Sequence, residues 1–118
     1  MENSTTSVLL VISNLPDVGS AERLAKILVE RQLAACVNIG APLRSIYRWQ
    51  GAVEQAQEIP LLIKTTQARY AEVEATLIAA HPYELPEILA FRAETGAAAY
   101  LQWVSESTTS DPSTNSPC

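Results

Sequence analysis

The chain has 118 residues, 47% of them apolar, 18% charged and 6% aromatic, with a formal net charge of −5. Enough apolar side chain is present for one core, burying roughly two-thirds of the extended-chain surface, so neither an intrinsically disordered chain nor a disulfide- or metal-dependent miniprotein fits. The acidic balance excludes a non-specific nucleic-acid binder, which needs clustered Lys and Arg to meet phosphates.

From the N-terminus, Glu2–Ser7 is polar and Val8–Ile12 is apolar but short, with no Lys or Arg ahead of it. A secretory signal needs a basic start and a longer apolar stretch, and a membrane span needs about 18 apolar residues. The expected location is therefore cytoplasmic, with no membrane partner. Ser7–Asn14 (SVLLVISN) reads as a buried strand, broken by Leu15-Pro16-Asp17. Ser20 is the expected N-cap of a first helix, with Asp17 as its competitor. In that helix Ala21, Leu24, Ala25 and Leu28 recur at helical spacing, and it should end near Leu33. Ala35–Trp49 reads as one long strand, Gln50-Gly51 as a turn, and Val53–Thr66 as the returning strand. Pro42 and Pro60 fall inside these strands, and each marks an edge or a bulge because proline cannot donate to a ladder. Gln67–Ala80 is a second helix with Tyr70, Val73 and Leu77 on one stripe. Two prolines in His81-Pro82-Tyr83-Glu84-Leu85-Pro86 forbid its continuation. Glu87–Ala93 is a fourth strand and Ala97–Ser107 a C-terminal helix.

The order β-α-β-β-α-β plus a terminal helix predicts an α+β, ferredoxin-like fold, an antiparallel sheet with helices on one face. Residues 1–107 make the single domain. Residues 108–118, rich in Ser, Thr and Pro, read as a disordered tail.

A strand of about 13 residues extends roughly 43 Å, whereas a compact domain of this length is only about 35 Å across. The central hairpin should overhang its own domain and present Ile46, Tyr47, Trp49 and Val53. A neighbouring subunit is the simplest cover; a hairpin bent back at the prolines is the alternative. If Arg48 faces Glu54 across the hairpin, Arg44 faces Glu58, giving two cross-strand ion pairs.

Few residues invite chemistry. Cys36 is either a thiolate ligand for a soft metal such as copper or a small core hydrophobe. Cys118 ends the chain, and two cysteines make no disulfide framework. His81, the single histidine, is a metal ligand, a base or a pH sensor, or else a helix-terminal ring satisfying carbonyls or a carboxylate. One His and one embedded Cys do not complete a metal site, so Glu84, Glu87 or another subunit would have to contribute. Lys64 follows an apolar run and needs a partner, with Glu58 and Glu84 as candidates. No glycine-rich phosphate loop, paired-carboxylate signature or nucleophile–base spacing is present, and no enzymatic activity is expected.

Five segments in order carry a resemblance: Leu33-Ala34-Ala35-Cys36-Val37-Asn38-Ile39, Ser45-Ile46-Tyr47-Arg48-Trp49-Gln50-Gly51, Glu58 leading to Lys64-Thr65, His81-Pro82-Tyr83-Glu84-Leu85-Pro86, and Tyr100-Leu101-Gln102-Trp103-Val104. Together they resemble the CutA divalent-cation-tolerance proteins. The resemblance implies a ferredoxin-like homotrimer joined through long hairpin strands, similar to the PII signalling proteins. It further implies a role in tolerance of copper and other divalent cations, with no obligatory cofactor. By the same resemblance Cys36, His81 and Glu84 carry over to a metal role, and Trp49, Glu58, Lys64 and Tyr83 line clefts between subunits. The competing function is a PII-like signalling or interaction module that binds a small anion in those clefts.

Overall fold

The computed structural model describes residues 7–109. In chain order these form β1 (Val8–Leu15), α1 (Val18–Glu30), β2 (Cys36–Ile39), β3 (Leu43–Trp49), β4 (Ala52–Thr66), a single 3₁₀ turn (Gln67–Arg69), α2 (Tyr70–Ala80), β5 (Leu89–Arg92) and α3 (Ala98–Ser107). β1 runs antiparallel to β4, from Val8 opposite Thr66 to Leu15 opposite Ile59. β5 borders the other edge of β1, and β2 the other edge of β4, giving the sheet order β2-β4-β1-β5. This is the expected ferredoxin-like, antiparallel α+β arrangement.

Side chains alternate across a strand, so the register sorts them by face. Leu9, Val11, Leu15, Ile59, Leu61 and Ile63 share one face and are buried. Leu24 and Leu28 of α1 and Val73 and Leu77 of α2 complete the same core. The stripes read from the sequence are thus the buried ones, with Tyr70 packed at the margin. The opposite parity places Leu10, Ile12, Leu62, Leu89 and Phe91 together, and Leu89 and Phe91 remain half exposed.

Several boundaries differ from the sequence reading. Asp17, and not Ser20, caps α1: its Oδ1 accepts the Ser20 N–H at 2.7 Å. The helix stops at Glu30 because Gln32 turns the chain through a left-handed conformation (φ 59°). The single strand expected over Ala35–Trp49 is two, interrupted at Gly40-Ala41-Pro42. The Gly40 N–H donates to the Pro60 carbonyl at 2.9 Å, and the N and O of one strand residue point to the same side. The missing N–H of Pro60 therefore falls at the gap between β2 and β3, as the bulge rule requires. A Cβ on Gly40 would stand 2.8 Å from the Pro60 ring, so glycine is what lets the two strands approach. β5 is shorter than the expected Glu87–Ala93, since Glu87, Ile88 and Ala93 lie outside the Leu89–Arg92 ladder. Thr108 is not tail: it is buried, and its hydroxyl donates to the Val104 carbonyl at 2.9 Å, closing α3. The rest of the expected tail, from residue 110 onward, lies outside the described residues.

The hairpin also differs in register. Gln50 and Gly51 both have positive φ (50° and 85°), the two-residue turn whose twist suits a hairpin, and it closes Trp49 on Ala52. Arg48 then faces Val53 and Arg44 faces Gln57. The two expected cross-strand ion pairs do not form; they would need a three-residue loop. Instead Leu43, Ser45, Tyr47 and Trp49 share a face with Glu54 and Glu58, and both arginines alternate onto the other.

From Ala52 to Glu58, β4 pairs with β3 alone among the described strands. The two form a projecting ribbon, and the described chain measures 49 × 29 × 23 Å with a radius of gyration of 15.3 Å. A compact domain would have a radius near 13 Å. The hairpin therefore overhangs and is not bent back, with Ile46 67% and Val53 65% exposed.

The Asp17 carboxyl is held below the usual carboxylate range, first by the Ser20 backbone N–H and then by the Ser20 hydroxyl. A folded value below the unfolded one gives stability that is present above the ordinary carboxylate range and lost as pH falls through the lowered value. Asp17→Ala should therefore lower the melting temperature at neutral pH, with the gap to wild type closing in acid. Circular-dichroism melts across pH check this; a gap unchanged in strong acid would assign the effect to something other than the carboxylate cap.

Candidate functional site

Where the ribbon leaves the sheet, the turn after α2 folds against it. α2 ends at Ala80 and His81 is extended (φ −73°, ψ 135°), which places its ring under the end of β1. His81 is buried, its Nε2 2.8 Å from the Asn14 carbonyl oxygen. Its Nδ1 accepts the Tyr83 N–H at 3.1 Å. An acceptor at Nδ1 places the ring proton on Nε2, which donates to Asn14, so both nitrogens are engaged. His81 thus acts as the helix-terminal ring that satisfies a carbonyl. It also fixes Tyr83, whose ring centroid lies 5.0 Å away.

Tyr83 in turn stands beside the Glu58 carboxylate. Burial first, then the pull of Glu58 on the phenol proton and the Glu58 charge, push the Tyr83 phenol up to about 12. Glu58 is only 8% exposed and is the last residue of the ribbon, opposite Leu43, before Ile59 joins the core. On the far wall, Asn14 Nδ2 donates to Glu87 Oε1 at 3.0 Å. Together Asn14, Tyr47, Arg48, Trp49, Glu58, Tyr83, Glu84 and Glu87 line a cleft of about 670 Å³. That volume falls in the range of small-molecule sites.

Within one chain the cleft brings together Trp49, Glu58 and Tyr83 of the residues expected between subunits, and adds Glu84. Lys64 is not among them. It stands six residues from Glu58 along β4, roughly 20 Å at strand rise, with its Nζ hydrogen-bonded to Asn38 Oδ1. Its partner is thus neither Glu58 nor Glu84. Cys36 pairs with Lys64 across β2 and β4, in line with Leu10 of β1, and is half-buried. His81 sits at Asn14, four residues and roughly 13 Å further along β1. A single chain therefore does not assemble Cys36, His81 and Glu84. Among the described residues no group of three His, Cys, Asp or Glu side chains is placed to hold a metal ion. Asn14 and Tyr47 were not singled out as site residues in the sequence. Glu87 was named there only as a possible contributor to a metal site, and the structure places it on the wall of this cleft.

Fold and cleft define a class: a ferredoxin-like domain with a projecting two-stranded ribbon and an acidic, aromatic-walled cleft at its root. The sequence profile of the CutA1 divalent ion tolerance protein matches residues 9–107. The divalent-cation tolerance protein CutA of Thermus thermophilus is 46% identical over 99 residues, covering 84% of this chain and 96% of that one. The protein of the same description from Archaeoglobus fulgidus is 42% identical over 91 residues, covering 77% and 88%. The crystal structure of CutA from Xylella fastidiosa superposes with a TM-score of 0.84 at 42% identity, covering 86% of this chain and 98% of that one. The CutA1 structure from Oryza sativa gives 0.86 at 32% identity, covering 92% and 100%. The chain belongs to the CutA1 divalent ion tolerance family.

A tyrosine value raised in the fold favours the neutral phenol, so the stability it confers is complete below about pH 10 and lost as pH climbs toward 12. Alkaline absorbance titration should find one phenol ionising near 12, absent from Tyr83→Phe. Four tyrosines that all titrate together at the ordinary value would disprove the Tyr83–Glu58 contact.

Proposed function

We propose that the protein serves divalent-cation tolerance as a cytoplasmic homotrimer, joined through the β3–β4 ribbon, that binds the cation between subunits, with copper favoured. The ribbon carries this reading. It projects with β3 unpaired on its outer edge and with Ile46, Trp49 and Val53 uncovered. An isolated two-stranded ribbon is marginal in water, and a long open edge is an invitation to pair. The half-exposed Leu89 and Phe91, on the face of the sheet opposite the α1 and α2 core, add apolar surface that an assembly would cover. Cys36 supplies the soft donor that suits copper, and a threefold assembly presents three copies of it. The free thiol accords with a reducing compartment.

A second reading, a PII-like module that binds a small ligand in the cleft, is favoured by the 670 Å³ cavity at the ribbon root. The lining carries Glu58, Glu84 and Glu87 against Arg48, which turns that reading away from the anion expected from the sequence.

Sedimentation at micromolar concentration should give a trimer with concentration-dependent melting. Trp49→Ala should weaken association more than Glu22→Ala on exposed α1, because burying a large aromatic is worth about 1.5–3 kcal/mol per site. A stable monomer would overturn the assembly. Separately, titration with Cu(I) and Cu(II) should show binding that Cys36→Ala abolishes; binding unchanged in that variant removes the thiol from the site.

A further inference from the structure

We infer that the turn of residues 81–87 is a proton-operated latch on the cleft: a proton added to His81 Nδ1 breaks the hydrogen bond that holds Tyr83 and frees that part of the wall. The device goes beyond both readings above, since it needs neither a bound cation nor an occupant of the cleft.

The partners of His81 admit one protonation state. The Tyr83 backbone N–H can only donate, and it points at Nδ1 from 3.1 Å. The Asn14 carbonyl can only accept, and it stands 2.8 Å from Nε2. The ring in this geometry is therefore neutral, with its proton on Nε2. A flipped ring would set carbon against both partners and lose both bonds. With Nδ1 accepting and Nε2 donating, no free lone pair is left for a metal ion. A second proton has one place to go, Nδ1, where it meets the Tyr83 N–H donor to donor. The residue is only 8% exposed, so bulk water does not take over the lost bond in place. The bond to Asn14 survives, because an imidazolium donates from both nitrogens. The part that moves is Tyr83.

The layout of the turn makes that movement local. Asn14 fixes both ends: its carbonyl takes His81, and its side-chain amide donates to Glu87 at 3.0 Å. Between them Pro82 carries no N–H, so Tyr83 supplies the first backbone donor after the His81 N–H that closes α2 on Leu77. Pro82, Glu84 and Leu85 are exposed, and the sheet takes up the chain again at Leu89, opposite Ile12. His81 Nδ1 thus holds the middle of a segment anchored at its ends. Asn14, Tyr83, Glu84, Leu85 and Glu87 all line the cavity of about 670 Å³, so release of Tyr83 reshapes the cleft.

The charges near the ring receive the proton once Tyr83 has moved. Glu84 stands on the same turn, and Asn14 of β1 brings in Glu87. β4 presents Glu58 beside Tyr83, and Tyr47 of β3 and the α1 cap Asp17 act on the same phenol. Among the cavity's lining residues Arg48 is the cation. α2 ends at the ring and directs its carbonyl end there, which favours a positive charge. The latched geometry thus excludes a second proton that the released geometry accommodates, which is the requirement for a two-state histidine switch.

The chain has one histidine and four tyrosines, so selective isotope labels report the latch directly. The full-length protein, with labelled histidine ring and labelled tyrosine amides, is followed by NMR from about pH 8 to about pH 5, the span in which a histidine changes charge. The Tyr83 amide, assigned by its loss in Tyr83→Phe, should shift with the same midpoint as the His81 ring. Its hydrogen exchange, corrected for the intrinsic effect of pH, should speed up at least about tenfold, with the amides of Tyr47, Tyr70 and Tyr100 unchanged. In His81→Gln, whose side chain does not titrate, the Tyr83 amide should be indifferent to pH over the same span; should that variant not fold, the wild-type comparison decides alone. A His81 ring that titrates while the Tyr83 amide stays fixed overturns the latch, as does a ring that stays neutral to the lower limit. A Tyr83 response that persists in His81→Gln overturns it by assigning the movement to the carboxylates. Movement of all four tyrosine amides together overturns it by assigning the change to unfolding.

Discussion

The two-residue turn at Gln50-Gly51 is the constraint on which the site depends. Both residues take left-handed backbone conformations, which fixes Trp49 opposite Ala52 and every later pair down to Leu43 opposite Glu58. Because side chains alternate, a ladder displaced by one residue exchanges the faces of a whole strand. In the displaced ladder the arginines would sit against the glutamates and neutralise them on the surface. In the observed one, Glu58 turns away from Arg44 and Arg48 and toward Tyr83. The acidic, aromatic character of the cleft is thus set at the ribbon tip, some seven residues from the carboxylate that carries it.

The same residue marks where β4 changes its work. From Ile59 onward the strand lies between β1 and β2 and contributes Ile59, Leu61 and Ile63 to the core. Before Glu58 it has only β3. The junction needs a local brace, and the turn after α2 provides it. His81 ties the end of α2 to the end of β1 through Asn14 and orients Tyr83, which reaches Glu58. At the ribbon root the end of α2, the end of β1 and the start of the ribbon are tied together through one ring and one phenol beside the Glu58 carboxylate. A histidine so engaged positions the cleft and does not need to act as a ligand itself.

Much of this was legible in the sequence. Helical spacing picked out Ala21, Leu24, Ala25 and Leu28, and all are buried. Strand alternation and two prolines gave the element order, and simple lengths gave the overhang, because those signals are local or additive. What was not legible depends on choices of one residue. Whether Gln50-Gly51 closes a two- or a three-residue loop decides the faces of Arg44, Arg48, Glu54 and Glu58, and Gln in the first position does not announce a left-handed backbone as Asn would. The break at Gly40 was hidden because the close approach that demands glycine is to Pro60, twenty residues away. The partner of Lys64 was missed for the opposite reason: the lysine shares a strand with Glu58, but the strand rise separates the two, and Asn38 of β2 takes its ammonium instead.

In the proposed trimer, the position of the cleft would couple assembly to ligand binding. Its outer wall is the ribbon, the element most exposed to a neighbouring subunit, and its inner wall is the rigid body of the domain. In the proposed assembly, covering the ribbon would remove water from one side of the cavity and strengthen any charge interaction within it, because the local dielectric falls. A ligand of the cleft would then be held more tightly by the assembled protein than by the isolated subunit. By linkage, a ligand that binds the assembled form more tightly also stabilises the assembly by the same factor. The ribbon would then join subunits and make their association sensitive to whatever occupies the cleft.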